Sequence, residues 1–372
     1  MSEESIFISY PSIHVGTDKS EISFHSGTPD LFSLFYSENQ ETDHRRFFVT
    51  DSNVASLDCM KDFISKFDEG KYGNDILLIL GSGEKYKTIE TVLNIITAAG
   101  EADFTRKDIF VGIGGGVICD ITGFAASIFK RGAKVQLVPT TLLAMVDASV
   151  GGKTGCDYDS LKNSIGTFFP AQKIYFCPDF VQYLPETQYN SGLAEAFKTA
   201  LLFDKDLYEI FKTESAKINS RDKEMLMNII RRCVKAKGNI VEQDFTEQGI
   251  RSYLNLGHTF GHALESIQGL GAITHGAAVA WGIGRSVELA YKKEYCMQGF
   301  KDEVFNILKN YNWEVKPVPS VVLGGDFGER LVSIMHKDKK NLTSKVRIVL
   351  QKGITDTVIE EFEDEDIFAV LK

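Results

Sequence analysis

Four short β-rich runs, at residues 46–50, 75–80, 108–113 and 134–138, punctuate the first half of this 372-residue sequence. Each is followed by turn residues and then by a stretch with helical spacing, such as 88–98 or 118–130. Strand, turn, helix, strand is the pattern of a parallel α/β layer. Strands buried in such a layer read as continuous apolar runs, and Ile76-Leu77-Leu78-Ile79-Leu80 is one. A further strand is expected at 173–177, ending at Pro178. Beyond Pro185 apolar residues recur three and four apart around 192–203, 222–241, 253–267, 276–291 and 301–310, as in amphipathic helices. A short strand pair is expected at 346–350 and 356–359. The predicted layout is an α/β domain over 1–180 and a mostly α-helical domain over 181–372, joined near 178–190. A cleft between two such domains is a common ligand site.

Composition narrows the function. Forty-one Lys and Arg against 51 Asp and Glu give a formal net charge of −10, which argues against a general nucleic-acid binder because such proteins displace counterions with basic surface. A local basic pocket for a small anion remains open. The start, Met1-Ser2-Glu3-Glu4, has neither the basic nor the apolar region of a signal peptide. The most apolar stretches, 109–129 and 135–150, are interrupted by Asp120 and Asp147, so no membrane span is expected. Six scattered cysteines without a C-x-x-C suit free thiols in a reducing compartment. The expectation is a soluble cytoplasmic protein.

Three constellations carry chemistry. Gly112-Ile113-Gly114-Gly115-Gly116-Val117-Ile118-Cys119-Asp120 follows a predicted strand and opens a helix, where exposed N–H groups favour a pyrophosphate. Val117 replaces the third glycine of G-x-G-x-x-G, so a plain strand-to-helix turn is the competing reading. Asp51 and Asn53 follow a strand where a nucleotide ribose is held in doubly wound sheets, although each also suits a turn or helix cap. His258 and His262 lie four apart, on one helical face, with His275 close in sequence. A catalytic zinc takes three protein ligands, and a third here is open between His275 and a carboxylate such as Glu195. Gly151-Gly152-Lys153-Thr154 lacks the leading glycine of a nucleoside-triphosphate loop, since Asp147 stands there. Lysines among glycines still suit a phosphate, which makes Lys153 and Lys162-Asn163 candidates, with Arg131 and Lys198. The run Lys337-Asp338-Lys339-Lys340 reads as a surface turn.

Together these strings resemble the 3-dehydroquinate synthases, a branch of the sugar phosphate cyclases. The resemblance runs from about Glu84 to Leu350. It is carried by residues 114–126 with Arg131-Gly132, by residues 138–155, by Gly192-Leu193-Ala194-Glu195 with Lys198, and by Arg251 through Asn255 into Gly257-His258-Thr259-Phe260-Gly261-His262-Ala263-Leu264-Glu265. It implies a Rossmann-like NAD-binding domain over 1–180 and a mainly helical metal- and substrate-binding domain over 181–372. It implies zinc (or cobalt) on Glu195, His258 and His275, with His262 left to touch substrate. The NAD contacts would be Asp51, Asn53, Glu84, Lys87, Gly115, Gly116, Asp120, Thr140 and Thr141, with Asp147 near the nicotinamide. The substrate, 3-deoxy-D-arabino-heptulosonate 7-phosphate, would meet Arg131, Asp147, Lys153, Lys162, Asn163, Lys198, Arg251, Asn255 and His262. Arg347 fits a last basic contact, with Lys339 or Lys340 as alternatives. Lys153, Lys198, Arg251, Asn255 and His262 would serve catalysis.

The implied reaction is a transient oxidation by NAD, β-elimination of phosphate, re-reduction and an intramolecular aldol closure. The resemblance also suggests a homodimer. Asp157-Tyr158 and Ala277 depart from the family's usual Asn-His and Glu, and Cys119 replaces a usual glycine. Three other readings compete. A sister cyclase of the 2-deoxy-scyllo-inosose or valiolone type is disfavoured by the residues that would grip a carboxylated substrate. A polyol dehydrogenase needs no phosphate clamp, and a catalytically dead paralogue has no use for an intact ligand set.

Overall fold

The computed structural model describes residues 5–10, 17–27, 30–36, 44–69, 73–159, 161–269, 272–322, 325–337 and 345–372. Residues 1–4 and 338–340, which carry the acidic start and most of the late basic run, lie outside these. The chain divides into two compact units: Met1–Pro185 with Lys237–Thr246, and Glu186–Ala236 with Glu247–Lys372.

The first unit holds β1 (Ile6–Ser9), β2 (Lys19–Phe24), α1 (Leu31–Tyr36), β3 (Arg46–Asp51), α2 (Ser52–Ala55), α3 (Asp58–Asp68), β4 (Ile76–Leu80), α4 (Ile89–Glu101), β5 (Ile109–Gly114), α5 (Gly116–Ile128), β6 (Lys134–Pro139), β7 (Lys153–Tyr158), β8 (Leu161–Phe168) and β9 (Lys173–Phe176). Seven strands form one sheet in the order β1-β2-β9-β6-β5-β3-β4. All neighbours run parallel except β1 with β2. Five of these strands, β3, β4, β5, β6 and β9, are those the apolar runs predict; β1, β2 and the β7–β8 hairpin were not legible from them. β5 is buried throughout, as a strand with neighbours on both sides should be. The most continuous apolar run, β4, turns out to be the sheet's edge: among the described residues it pairs only with β3, and Ile79 is 46% exposed.

Strand order matters for function. From β3 the chain moves outward to β4, and from β5 it moves the other way to β6, so the order reverses between β3 and β5. Open α/β sheets bind ligands at the carboxyl ends of strands at such a reversal. Asp51 ends β3, and Gly115 follows β5.

The second unit contains α6 (Glu186–Phe203), α7 (Lys205–Thr213), α8 (Ser215–Asn219), α9 (Lys223–Gln243, whose last residues belong to the first unit), α10 (His258–Gln268), α11 (His275–Lys292), α12 (Gln298–Asn310), α13 (Phe327–His336), the hairpin β10 (Val346–Gly353) and β11 (Asp356–Phe362), and α14 (Asp364–Ala369). Its core joins Phe260, Leu264, Trp281, Leu331, Ile348 and Ile367. The helix expected over 253–267 is broken. A 3-10 turn spans Ile250–Asn255, Gly257 takes a left-handed φ of 77°, and α10 begins afresh at His258. A Cβ on Gly257 would lie 2.6 Å from the Val279 carbonyl oxygen, so only glycine lets α11 pack this closely.

The segment Lys237–Thr246 returns to the first unit. There Glu242 accepts a hydrogen bond from Ser9 N at 2.8 Å, Phe245 meets Tyr10 edge-on at 5.2 Å, and Gly238 lies against Ile8. No described helix is long and apolar enough to cross a membrane.

Candidate active site

The second unit brings three sequence-predicted residues to one point. Glu195 lies in the middle of α6, 1% exposed, flanked by buried residues from Ser191 to Leu202. Burying a carboxylate is costly unless its charge is met. Lys198, one helical turn on and equally buried, brings its Nζ to 2.5 Å from Glu195 Oε2. The other oxygen, Oε1, lies 3.6 Å from His258 Nε2 and 3.3 Å from His275 Nε2. Ligand atoms at tetrahedral corners about 2.0–2.1 Å from an ion stand roughly 3.3 Å apart. The spacing therefore fits one divalent cation.

Each imidazole is aimed from behind. His258 Nδ1 donates to the Leu256 carbonyl at 3.1 Å, leaving Nε2 as the lone-pair nitrogen. Burial, with Lys198 and the neighbouring imidazoles, drives its pKa well below the ordinary histidine value, so the ring is neutral as a ligand must be. His275 Nδ1 faces Glu265 Oε2 at 3.4 Å, an imidazole–carboxylate pairing of the kind that supports metal ligands. Burial works against charge on His275, but Glu195 and Glu265 outweigh it and raise its pKa to about 9. That proton answers the same negative charge a metal would.

His262 shares the α10 face with His258, ring centroids 5.1 Å apart, and is exposed. It joins Glu265 and His275 in a second group whose ligand atoms lie within 4.8 Å of one another. Arg251 is buried in the 3-10 turn before α10, and Asn255 donates to Glu247 Oε1 and Ser252 O. α6 and α11 approach through Gly276, whose N–H donates to Ser191 Oγ at 2.9 Å; a Cβ there would lie 2.0 Å from Ser191 O.

The first unit assembles the nucleotide candidates at the carboxyl edge of its sheet. Gly115 caps α5, and Thr140 N donates to Gly114 O at 2.9 Å, so the turns after β5 and β6 are tied. Gly116 opens α5, and Thr141 Oγ1 accepts from Ala144 N. Asp51 is the N-cap of α2: its Oδ1 accepts from Asn53 N and Val54 N at 2.8 and 3.0 Å, and burial raises its pKa. Both the cap reading and a place at the strand reversal are therefore realised.

Residues assigned separately to cofactor and substrate meet in one charged cluster. Lys87 Nζ donates to Asp120 Oδ2 at 2.7 Å and to Asn163 Oδ1 at 2.5 Å. Lys162 Nζ lies 3.9 Å from Glu84 Oε1. Burial acts to discharge Lys87, but Asp120, with Glu84 and Asp157 nearby, holds its ammonium pKa above the ordinary value. A cavity beside this cluster is lined by Asp120, Cys119, Ser149, Gly152, Lys153 and Thr154, which brings Lys153 and Asp120 to one space. Cys119 is buried there, its thiol donating to Gly114 O and its pKa pushed up by burial.

Two further predicted residues are exposed. Arg131 is exposed, just beyond the far end of α5 from Gly115; the intervening helix of 13 residues is about 20 Å long. Arg347 is exposed on β10, in register with Glu361 of β11. Lys339 and Lys340 lie outside the described residues.

The sequence reading missed Lys237. Its Nζ donates to the Asp147 carboxylate at 2.7 Å and to the Asp147 carbonyl at 2.6 Å, fastening the π-turn Ala144–Ala148. The signal was present: Cys233, Val234, Ile240 and Val241 mark the buried face of α9, and Lys237 falls on it.

Models of the 3-dehydroquinate synthase N-terminal and C-terminal domains match residues 77–191 and 192–341. A 3-dehydroquinate synthase of Thermodesulfovibrio yellowstonii is 36% identical over 324 residues, 87% of this chain and 88% of the relative. One of Prochlorococcus marinus is 32% identical over 357 residues, 95% and 96%. Among solved structures, the 2-epi-5-epi-valiolone synthase of Streptomyces hygroscopicus, with NAD+ and Zn2+ bound, superposes with a TM-score of 0.83 at 23% identity, covering 97% of this chain and 98% of its own. A 2-deoxy-scyllo-inosose synthase complexed with carbaglucose-6-phosphate, NAD+ and Co2+ gives 0.82 at 21%, covering 99% of each. At such identities the structures establish the fold.

Proposed function

The chain belongs to the 3-dehydroquinate synthase family, and from that premise we propose how its residues divide the work of converting 3-deoxy-D-arabino-heptulosonate 7-phosphate to 3-dehydroquinate and phosphate. The observation that carries the reading is the convergence of Glu195, His258 and His275 at ligand spacing. These three hold the metal, with zinc as the resident ion and cobalt as a substitute. Asp51, Asn53, Glu84, Lys87, Gly115, Gly116, Asp120, Thr140 and Thr141 hold NAD, with Asp147 beside its nicotinamide. When bound, the two groups supply a Lewis acid for a substrate hydroxyl and a reversible hydride acceptor.

The protein's own part is positioning and charge. Lys153 and Lys162 oppose the substrate phosphate and stabilise the charge that grows on it as its C–O bond breaks; Arg131 and Arg347 are assigned to the same anion. Asn163, Lys198, Arg251, Asn255 and His262 fix the remainder of the substrate, converting reaction steps into reactions of held groups. Lys198 has a second duty, since its ammonium offsets the buried charge of Glu195. Lys237 steadies the π-turn that carries Asp147. The six cysteines are free thiols, which supports a cytoplasmic setting, and the working form is read as a homodimer.

The purified protein, given zinc and catalytic NAD, should release inorganic phosphate from the heptulosonate phosphate with no accumulation of NADH. Steady NADH formation from a polyol would establish a dehydrogenase instead. Faster phosphate release from another sugar phosphate would establish a sister cyclase.

A further inference from the structure

We propose that Asp157 is a positioning residue for substrate binding: its carboxylate holds the backbone of Asn163 in a left-handed turn and so aims the Asn163 side chain. The inference rests on the proposed role of Asn163 as a substrate contact.

The β7–β8 ladder is regular from Lys153↔Phe168 to Cys156↔Ile165, then shifts so that Tyr158 pairs with Leu161. Lys162, Asn163 and Ser164 therefore stand opposite Asp157 alone. Bulges of this kind re-aim side chains beside active sites. At the centre of the bulge Asn163 has φ 50°, a conformation that persists in a non-glycine residue when its surroundings hold it. What holds it is visible: Asn163 N donates to Asp157 Oδ1 at 2.7 Å.

Asp157 is itself anchored. Its N–H donates to the Lys87 carbonyl at 2.7 Å, and Thr88 bridges to it in parallel. Lys87 closes the circuit, its Nζ donating to Asn163 Oδ1 at 2.5 Å. The bulge is thus fixed at its backbone by Asp157 and at its side chain by Lys87. Removing the Asp157 carboxylate leaves the backbone bond to Lys87 intact and frees only the bulge. An asparagine at 157 retains a carbonyl oxygen that can accept the same N–H, so the acceptor, not the charge, is what the position requires.

The test compares Asp157→Ala, Asp157→Asn and Asn163→Ala in the NAD- and metal-loaded enzyme. Asp157→Ala should raise KM for the heptulosonate phosphate about fivefold or more, the scale of one lost hydrogen bond, with kcat within about twofold. NAD affinity should stay unchanged. Asp157→Asn should restore KM to within about twofold of wild type. Combined with Asn163→Ala, Asp157→Ala should add no further loss, because both act through one contact. Amide exchange across 161–168 should quicken in Asp157→Ala and not in Asp157→Asn. Should the alanine variant not fold, Asp157→Thr, which suits a strand and holds its oxygen one bond short, replaces it. An unchanged KM in Asp157→Ala beside a raised KM in Asn163→Ala overturns the positioning role alone. An unchanged KM in Asn163→Ala overturns the substrate role of Asn163 and, with it, this inference.

Discussion

At the scale of single residues, the proposed metal site depends on how the imidazoles are held from behind. Glu265 Oε2 lies 3.4 Å from His275 Nδ1, and carboxylates in this position orient the ring and raise its basicity. Glu265→Gln should weaken cobalt or zinc binding by about 10–100-fold, read by the visible spectrum of the cobalt form or by competition with a chelator. His258→Ala, which removes a proposed ligand outright, should lose stoichiometric metal. If it retains the metal, the proposed ligand set is wrong; if Glu265→Gln binds as wild type does, only the supporting role of Glu265 is. Only part of this was legible in spacing: His258 and His262, four apart, share a face, whereas Glu195 and His275 were named through the family resemblance. Glu265 and Asp157 were not legible, since each acts by meeting a residue that only tertiary structure brings near. Lys237 was legible in principle, as a charge on an apolar stripe, and was passed over among four apolar neighbours.

At the scale of elements, glycine sets how closely helices approach and so where their ligands point. Gly276 stands next to His275 at the start of α11, where a Cβ would lie 2.0 Å from the Ser191 carbonyl oxygen of α6. Backbone cannot yield as a flexible side chain would. Gly276→Ala should force α6 and α11 apart, costing about 1–3 kcal/mol of stability by thermal or denaturant unfolding, and should weaken metal binding together with it. Loss of stability with unchanged metal affinity would show that the helices relax elsewhere. Periodicity located α6, α9, α11 and α12, because a stripe of apolar residues survives any arrangement of partners. It did not find the break before α10, because the apolar spacing continues through Gly257 while the backbone turns left-handed there. It also misjudged β4, since a continuous apolar run reports what a strand can bury and not how many neighbours it has.

At the scale of the whole molecule, pH acts on stability through carboxylates such as Glu303 of α12. Burial alone would raise its pKa, but hydrogen bonds from Lys212 and Tyr208 outweigh it and hold it below the ordinary glutamate value. A depressed carboxylate contributes stability above its unfolded pKa of about 4.3 and loses it as pH falls through the lower folded value. Glu303→Gln should therefore melt below wild type at pH 7, by no more than about 1 kcal/mol for so exposed a pair, and the two should converge once the pH has fallen through the lowered folded value. A gap that stays constant as the pH falls would mean that the loss is one of packing and not of charge. The return of Lys237–Thr246 to the first unit has a consequence for biosynthesis. A ribosome that has released residue 185 has not yet made the pieces that brace Ser9, Tyr10 and Asp147. About 60 further residues, roughly 3–12 s of translation, must emerge before that unit can close, so the nascent chain spends this interval with an unfinished α/β layer exposed to chaperones.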